Sequence, residues 1–323
     1  MTQKGALVET ARDGYSQIAQ YQKRLADGGE IVFRRSPPPQ GSAEYPLVTV
    51  ITETLNSEAT IEAAIASVKQ QTYPHIEHII VDGDSKDGTF DLILKNQGSV
   101  AVVIRGKDCS PADACNKGVA VARGEYISIL PSDDTYEPNY IENAVAVMRR
   151  TGCDFAYGDL VYVEEGNAAL LIPGDPHYAR RIRYTMPNMS AITLMHRQDA
   201  FVKIGLWDVH NRYCPDYDWL LRAHIAGLAG QYDSSIRASF SHGGISSANY
   251  FAAMARARDV AIAHGGPVFR IHWSYWRGAV QKRICDVLRN ILPEPLFHKV
   301  LRRLTRTGTH PVPVRTFSPN QTK

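Results

Sequence analysis

Cysteine is scarce and unpatterned in this chain: five residues, at 109, 115, 153, 214 and 285, an odd set with no CxxC spacing. Such a set argues against a disulfide framework and against a zinc site, so a reducing cytoplasm is the expected setting. Long apolar runs are missing too. No stretch approaches the about 20 consecutive apolar residues that a spanning helix needs, and no charged-then-apolar leader opens the sequence. The expectation is a protein neither exported by a signal peptide nor threaded through a membrane. No internal repeat and no low-complexity segment is visible.

What is present is enough apolar sequence for a full core, 44 % of 323 residues, which suits one large domain with extensions. Charge is unevenly spread. From Phe251 to Lys323 there are 13 Lys and Arg against 3 Asp and Glu, a balance of +10, while the first 250 residues carry −7. This asymmetry points to a tail that meets an anionic surface, membrane or nucleic acid; a solvated helical face accounts for it equally well.

Along the chain, Tyr15 to Leu25 reads as a helix and Ser36-Pro-Pro-Pro as a breaker, which makes residues 1–45 an appended segment with a stiff linker. Strands follow at Leu47–Ile51, Ile76–Val81 and Val100–Ile104, each ahead of a polar loop and a helical pattern. Ser110-Pro-Ala-Asp113 has the form of a helix start, with an N-cap, a proline at the first position and a carboxylate at the third. Alternating strands and helices with short connections imply a doubly wound, mostly parallel α/β sheet with right-handed crossovers. Asp159 to Ile172 reads as a hairpin turning at Gly166-Asn167, a small antiparallel part attached to that sheet.

The segment Gly124 to Pro138 organises the rest. Its buried strand stops at Pro131 and presents Asp133 and Asp134. In an open parallel sheet ligands bind beyond the carboxyl ends of the strands, so carboxylates there suit a hard cation and a nucleotide. Asp82-Gly-Asp84, after the second strand, suits a tight turn that lets backbone approach a ligand, or a turn that caps the next helix.

These stretches resemble a known family. Thr54-Leu-Asn56, Val81 to Thr89, Asp113 to Gly118, Ala122 to Asp134 and Asp216 to Arg222 are similar, in that order, to inverting family 2 glycosyltransferases of the GT-A fold, bacterial exopolysaccharide and lipopolysaccharide enzymes above all. The resemblance covers residues 46–248, about two thirds of the chain. It implies transfer of a sugar from a nucleotide-sugar donor to a hydroxyl of a glycan or lipid-linked glycan, with Mn²⁺ or Mg²⁺ on the donor diphosphate. A non-catalytic nucleotide- or glycan-binding scaffold is the alternative, because Pro131 and Pro215 replace acids usual in two of the motifs. A sugar-1-phosphate nucleotidyltransferase lacks support, since no glycine-rich phosphate loop follows the first strand.

By this resemblance Asp133 is the principal metal ligand and Asp134 supports it. Glu53, Thr54, Asn56, Asp82, Asp84, Asp108, Asp113 and Asn116 line the donor site, and capping serves as well for Asp113. Asp216 is the general base on the acceptor hydroxyl, while Asp218 ties the helix start to its neighbours. Asn188 and Trp219 are candidate acceptor contacts, core packing being the other reading of Trp219. His242 is a candidate further metal ligand. The helix carrying Asp216 is expected to turn Leu220, Leu221, His224 and Ile225 inward.

Residues 249–323 read as a basic helical tail. Phe297, Val300, Leu301 and Leu304 share a face opposite Lys299, Arg302, Arg303 and Arg306, and Trp273, Tyr275, Trp276, Val280, Ile284 and Val287 precede them. Apolar on one side and basic on the other is the pattern of a helix lying in a membrane interface, or of one packed on the catalytic domain. With the resemblance, residues 270–306 point to an anionic membrane surface rather than nucleic acid, and to peripheral attachment on the inner face of the cell membrane.

Overall fold

The computed structural model describes residues 3–164, 168–241, 250–293 and 315–317. Helix α1 (Gln3–Gly28) and strand β1 (Ile31–Arg34) precede β2 (Val48–Thr54), α2 (Ile61–Lys69), β3 (Ile76–Asp82), α3 (Thr89–Lys95), β4 (Val102–Arg105), α4 (Pro111–Val121) and β5 (Tyr126–Ile129). Then come β6 (Thr135–Tyr136), α5 (Tyr140–Thr151), β7 (Phe155–Glu164), β8 (Ala168–Ile172), β9 (Met195–Arg197), α6 (Gln198–Ile204), α7 (Pro215–Ile225) and β10 (Gly230–Ser241). The remaining elements are α8 (Tyr250–Ala263), α9 (Val268–Ile291) and β11 (Arg315–Phe317).

One sheet runs β1-β4-β3-β2-β5-β9-β7-β10-β6, with β8 beside β7 and β11 beside β8. Strands β4, β3, β2 and β5 are parallel, as the alternating pattern requires. Val48, Val50, Ile51, Ile79, Ile80, Val81, Val103 and Ile104 are all buried, because helices cover both faces. Helix α4 lies directly on β2, and Gly118 permits it: a Cβ there would stand 2.5 Å from Ile51. The expected helix start at Ser110 is formed, its Oγ accepting from Asp113 N at 3.3 Å. β7 and β8 pair antiparallel, as expected of a hairpin, and the turn expected at 166–167 lies outside the described residues.

Residues 3–34 are not the appendage their Pro-rich boundary suggested. β1 extends the sheet antiparallel to β4, and Leu25 of α1 is buried in the main core. Truncating such a side chain to Ala costs about 2–5 kcal/mol. Polar ties reinforce the packing, with Gln22 Nε2 donating to Ala120 O at 2.8 Å and Gln17 Oε1 accepting from Leu206 N at 2.8 Å. The reason is physical: an exposed edge at β4 and an apolar groove beside α4 and α6 need covering, and this segment covers them.

At the other end, α8 and the inner face of α9 enter the same core through Met254, Ala257, Val260, Ala261, Ile271 and Tyr275. Tyr275 therefore faces inward, its hydroxyl oxygen accepting from the Met186 N–H at 3.2 Å, and is not among the outward aromatics expected of the tail. The expected amphipathic helix through Phe297 and Leu304 lies outside the described residues.

Candidate active site

Because β3 and β5 both run parallel to β2, the three strands end on the same edge of the sheet, and Thr54 pairs with Asp82 in register. The loops leaving β2 and β3 are tied to each other. Gly83 N donates to Thr54 O at 2.9 Å, Asn56 N to Ser85 Oγ at 2.9 Å, and Lys86 N to Asn56 Oδ1 at 2.9 Å. Asn56 and Asp84 both adopt left-handed backbone, φ 51° and 69°, which Asn and Asp tolerate better than other side-chain-bearing residues.

Asp82 is fully buried and receives the Ser85 N–H and hydroxyl, with Arg105 Nε 3.3 Å away. Arg105 stacks on Phe90 at 3.9 Å and reaches Asp84 at 3.6 Å. The Lys86 hydrogen bond holds the half-buried Asp84 carboxyl below the usual range. Arg105 is a site residue that the sequence reading missed; its position at the carboxyl end of a parallel strand is the signal that could have found it.

Asp108 lies next to this wall, its Oδ2 3.2 Å from where a Cβ on Gly83 would stand. It shares the fully buried Lys117 with Glu30, at 2.7 and 2.6 Å, while the same ammonium donates to the carbonyls of Gly106 and Lys107. Burial raises the Asp108 carboxyl despite Lys117. Asp113 faces α1: Tyr21 donates to it at 2.7 Å and Arg24 at 3.0 Å, and Cys109 N completes the set at 3.1 Å. Burial alone would raise its carboxyl, but these donors hold it below the usual range. Asn116 is buried with both ends of its amide on the backbone of Trp207, at 2.9 and 3.1 Å. Both residues, expected at the donor site, make structural bonds here.

The centre of the edge is acidic. Glu53 is the penultimate residue of β2, Asp133 and Asp134 follow β5, and Asp216 stands in the first turn of α7. Burial, then the charges of Asp133, Asp216 and Asp134, push Glu53 up to about 8. Its Oε2 is buried without a hydrogen-bond partner. Asp133 is half-buried and Asp134 buried, in a tight turn closed by Asp134 N to Pro131 O at 3.1 Å. Burial raises Asp216 to about 6, although its own backbone N–H and the Trp207 indole N–H oppose the rise. An orphaned carboxylate oxygen among acids that repel one another fits a site made for added positive charge. Among the described residues no group of three or more His, Cys, Asp or Glu side chains could hold a metal alone. A cation here would take ligands from the donor diphosphate and water as well as from Asp133.

On the acceptor side the sequence reading needs correction. Trp219 is completely buried, 4.7 Å from His196 and 5.2 Å from Phe201 by ring centroid, with its indole N–H on Gly205 O. From there it cannot stack on a sugar; core packing is its role. The inner face of α7 is Tyr217, Trp219, Leu220, Leu221 and Ala223, while Ile225 is exposed, one position round the helix from the expected stripe. Asn188 is exposed and its Nδ2 donates to Pro173 O at 2.6 Å. His242 lies outside the described residues.

With this geometry in hand, comparison with known proteins gives a consistent result. Residues 49–203 match Glycosyl transferase family 2. The chain is 28 % identical over 221 residues to the UDP-Glc:alpha-D-GlcNAc-diphosphoundecaprenol beta-1,3-glucosyltransferase WfaP of Escherichia coli, covering 66 % of this chain and 85 % of the relative. Its fold is similar to that of S. aureus TarS 1-349 in complex with UDP, TM-score 0.54 at 15 % identity, over 80 % of this chain and 79 % of the other. It is similar again to the mannosyltransferase PcManGT from Pyrobaculum calidifontis in complex with GDP-Man and Mn²⁺, TM-score 0.52 at 14 % identity, over 96 % and 93 %. Residues 49–203 thus form a glycosyl transferase family 2 domain on a GT-A fold, and the chain is a glycosyltransferase.

Proposed function

We propose that the chain is an inverting, metal-assisted glycosyltransferase that moves a sugar from a nucleotide diphosphate donor to a hydroxyl of a lipid-linked glycan in bacterial cell-surface polysaccharide synthesis. The convergence of Glu53, Asp133, Asp134 and Asp216 at the carboxyl ends of the parallel strands carries the reading. The β2 and β3 loops, braced by Asp82 and Arg105, form the wall against which the nucleotide lies. Asp133, with Asp134 behind it, is the protein contribution to a divalent ion, Mn²⁺ or Mg²⁺. When bound, that ion supplies positive charge to the departing diphosphate. The Mn²⁺ in the solved complex of PcManGT supports this part, and the UDP in that of TarS supports the donor class.

Asp216 then acts as the base. An inverting displacement needs a carboxylate that takes the proton of the attacking hydroxyl, and a partly exposed acid raised to about 6 is ionised at neutral pH yet basic enough to accept it. The two carboxylates so take opposite tasks, one side of the cleft neutralised for the donor and the other left anionic for the acceptor.

The acceptor named for WfaP is a lipid diphosphate, and the surface of this chain suits such an acceptor. Phe269, Trp273, Trp276, Val280, Ile284, Val287 and Ile291 of α9 are exposed, Phe269 to 82 % and Ile291 to 70 %. At 3.6 residues per turn they fall within an arc of about 80°, opposite the buried Ile271 and Tyr275. Arg270, Arg277 and Arg283 flank the stripe. Exposed tryptophans with cations beside them suit the headgroup layer of an anionic membrane. No helix among the described residues is long and apolar enough to cross one.

The test is nucleotide release and sugar transfer from UDP-, GDP- and dTDP-sugars, with and without Mn²⁺ or Mg²⁺, to a polyprenyl-diphosphate-linked sugar. Metal-dependent transfer with inverted anomeric configuration is the expected result, and Asp133→Ala should abolish the metal dependence. Retained configuration, or full transfer in chelator, would refute the reading.

A further inference from the structure

We infer that Glu30 is a positioning residue for the donor site: through the buried ammonium of Lys117 it fixes the Asp108 carboxylate at the wall of the nucleotide pocket. The inference rests on the reading of the β2 and β3 loops as that wall, and it gives the N-terminal segment work beyond covering a sheet edge.

Glu30 lies in the turn between α1 and β1. Its backbone carbonyl accepts the N–H of Arg105 at 2.8 Å, which locks it to the end of β4. Its side chain then crosses Gly106, where a Cβ would stand 2.7 Å from Oε2, so a larger residue would push the carboxylate away. Beyond Gly106 it meets Lys117 of α4. This ammonium is completely buried and stands 2.6 Å from Glu30 Oε2, 2.7 Å from Asp108 Oδ1, and 3.1 and 3.2 Å from the carbonyls of Gly106 and Lys107. Three N–H groups thus face four oxygens.

The consequence falls on Asp108. Its Oδ1 is committed to Lys117, whereas its Oδ2 takes no bond from any described residue and lies 3.2 Å from where a Cβ of Gly83 would stand. Gly83 follows β3 directly and donates to Thr54 O, so this oxygen is held where the β2 and β3 loops join. Asp82 and Asp84, the neighbouring acids, are bonded to Ser85 and Lys86 and paired with Arg105. Asp108 is therefore the carboxylate of this wall with an oxygen left to accept from an N–H or O–H of a bound nucleoside.

Glu30 decides how that oxygen is presented. A buried ammonium attracts a carboxylate strongly, and with Asp108 as its only anion the pair would close on both Asp108 oxygens. Shared with Glu30, Lys117 engages one oxygen of each. Burying such a trio costs desolvation that apolar side chains of the same volume would not, so packing alone does not account for it.

A merely structural Glu30 would anchor the N-terminal segment and nothing more, and nucleotide binding to the full chain separates the cases. Calorimetry with Mn²⁺ and UDP, or GDP where the wild type prefers it, should show Glu30→Gln weakening the nucleotide about tenfold, while kcat at saturating sugar nucleotide stays unaltered. Glu30→Gln should add nothing in an Asp108→Asn background, because it acts through that carboxylate. Gln22→Ala loosens the same segment by removing its bond to Ala120 O and leaves Lys117 untouched, so it should bind nucleotide as the wild type does. If Glu30→Gln does not fold, Glu30→Asp, which keeps the charge and withdraws it by one methylene, takes its place with the same outcomes. A variant that lowers only the melting temperature, that weakens nucleotide equally in both backgrounds, or that Gln22→Ala matches would make Glu30 structural and overturn the inference. Wild type that binds neither UDP nor GDP would instead refute the donor reading, and the role of Glu30 with it.

Discussion

Asp216 and Asp218 stand two residues apart in the first turn of α7 and face opposite electrostatics. Asp218 lies between Arg222 Nε and His264 Nε2, each 2.9 Å from its carboxylate. Burial would raise it, but the His264 hydrogen bond and the Arg222 charge hold it below the usual range. For Asp216 burial dominates and lifts the carboxyl to about 6. One turn of helix thus holds one carboxylate lowered by its partners and one raised by burial.

Asp218→Asn should therefore cost stability rather than rate. Removing the charge from this half-buried bridge is expected to lower unfolding free energy by about 1–3 kcal/mol in urea titration, with turnover changed far less than in Asp216→Asn. Because the folded value is depressed, the stabilisation is present above about pH 4 and lost as pH falls through the folded value. The variant and the wild type should converge in strong acid.

Glu53 gives the opposite sign. Its folded value, about 8, is raised by burial and by neighbouring acids, so the folded state favours the protonated form. That contribution is complete below the ordinary glutamate value of about 4.3 and is lost as pH rises through about 8. Glu53→Gln, a neutral isostere, should gain stability relative to wild type across this interval and reach a plateau above it. Differential denaturation at several pH values, without added metal, checks this; a pH-independent difference would show that Glu53 is ionised in the folded protein.

The α9 stripe makes a separate prediction. The intact chain should float with anionic vesicles at low salt and lose them as ionic strength rises. Trp273→Glu with Trp276→Glu should abolish binding and leave the melting temperature unaltered, since both rings are exposed. Deleting the helix would be a poorer test, because Ile271 and Tyr275 belong to the core. Vesicle binding that survives the double substitution would remove the membrane role from this face.

Much of this was legible in the sequence for local reasons. Strands β2, β3, β4 and β5 are buried on both faces and so read as apolar runs, and the helix start at Ser110 is encoded within four residues. The acids at the strand ends follow from that. What depends on distant partners was not legible. Nothing near residues 3–34 announces the free edge of β4 they cover, and nothing around Lys117 foretells the carboxylates of Glu30 and Asp108 that make a buried ammonium tolerable. Trp219 sits beside Asp218 in sequence and a helix face away from the cleft in space; aromatic character told only that it would be buried in something. The backbone partner of the Asn116 amide was hidden for a like reason, since it lies 91 residues away.

The most direct measurement compares donor binding with turnover in Asp216→Asn. If Asp216 takes the proton of the acceptor hydroxyl, titration calorimetry should show the nucleotide sugar binding with unaltered affinity in the presence of Mn²⁺, while kcat falls by about 10²- to 10⁴-fold. In the wild type kcat/KM should fall below about pH 6 as this carboxylate protonates, and the variant should lack that limb. Near-normal turnover, or a loss that lies wholly in donor affinity, would contradict the assignment of Asp216 as the base.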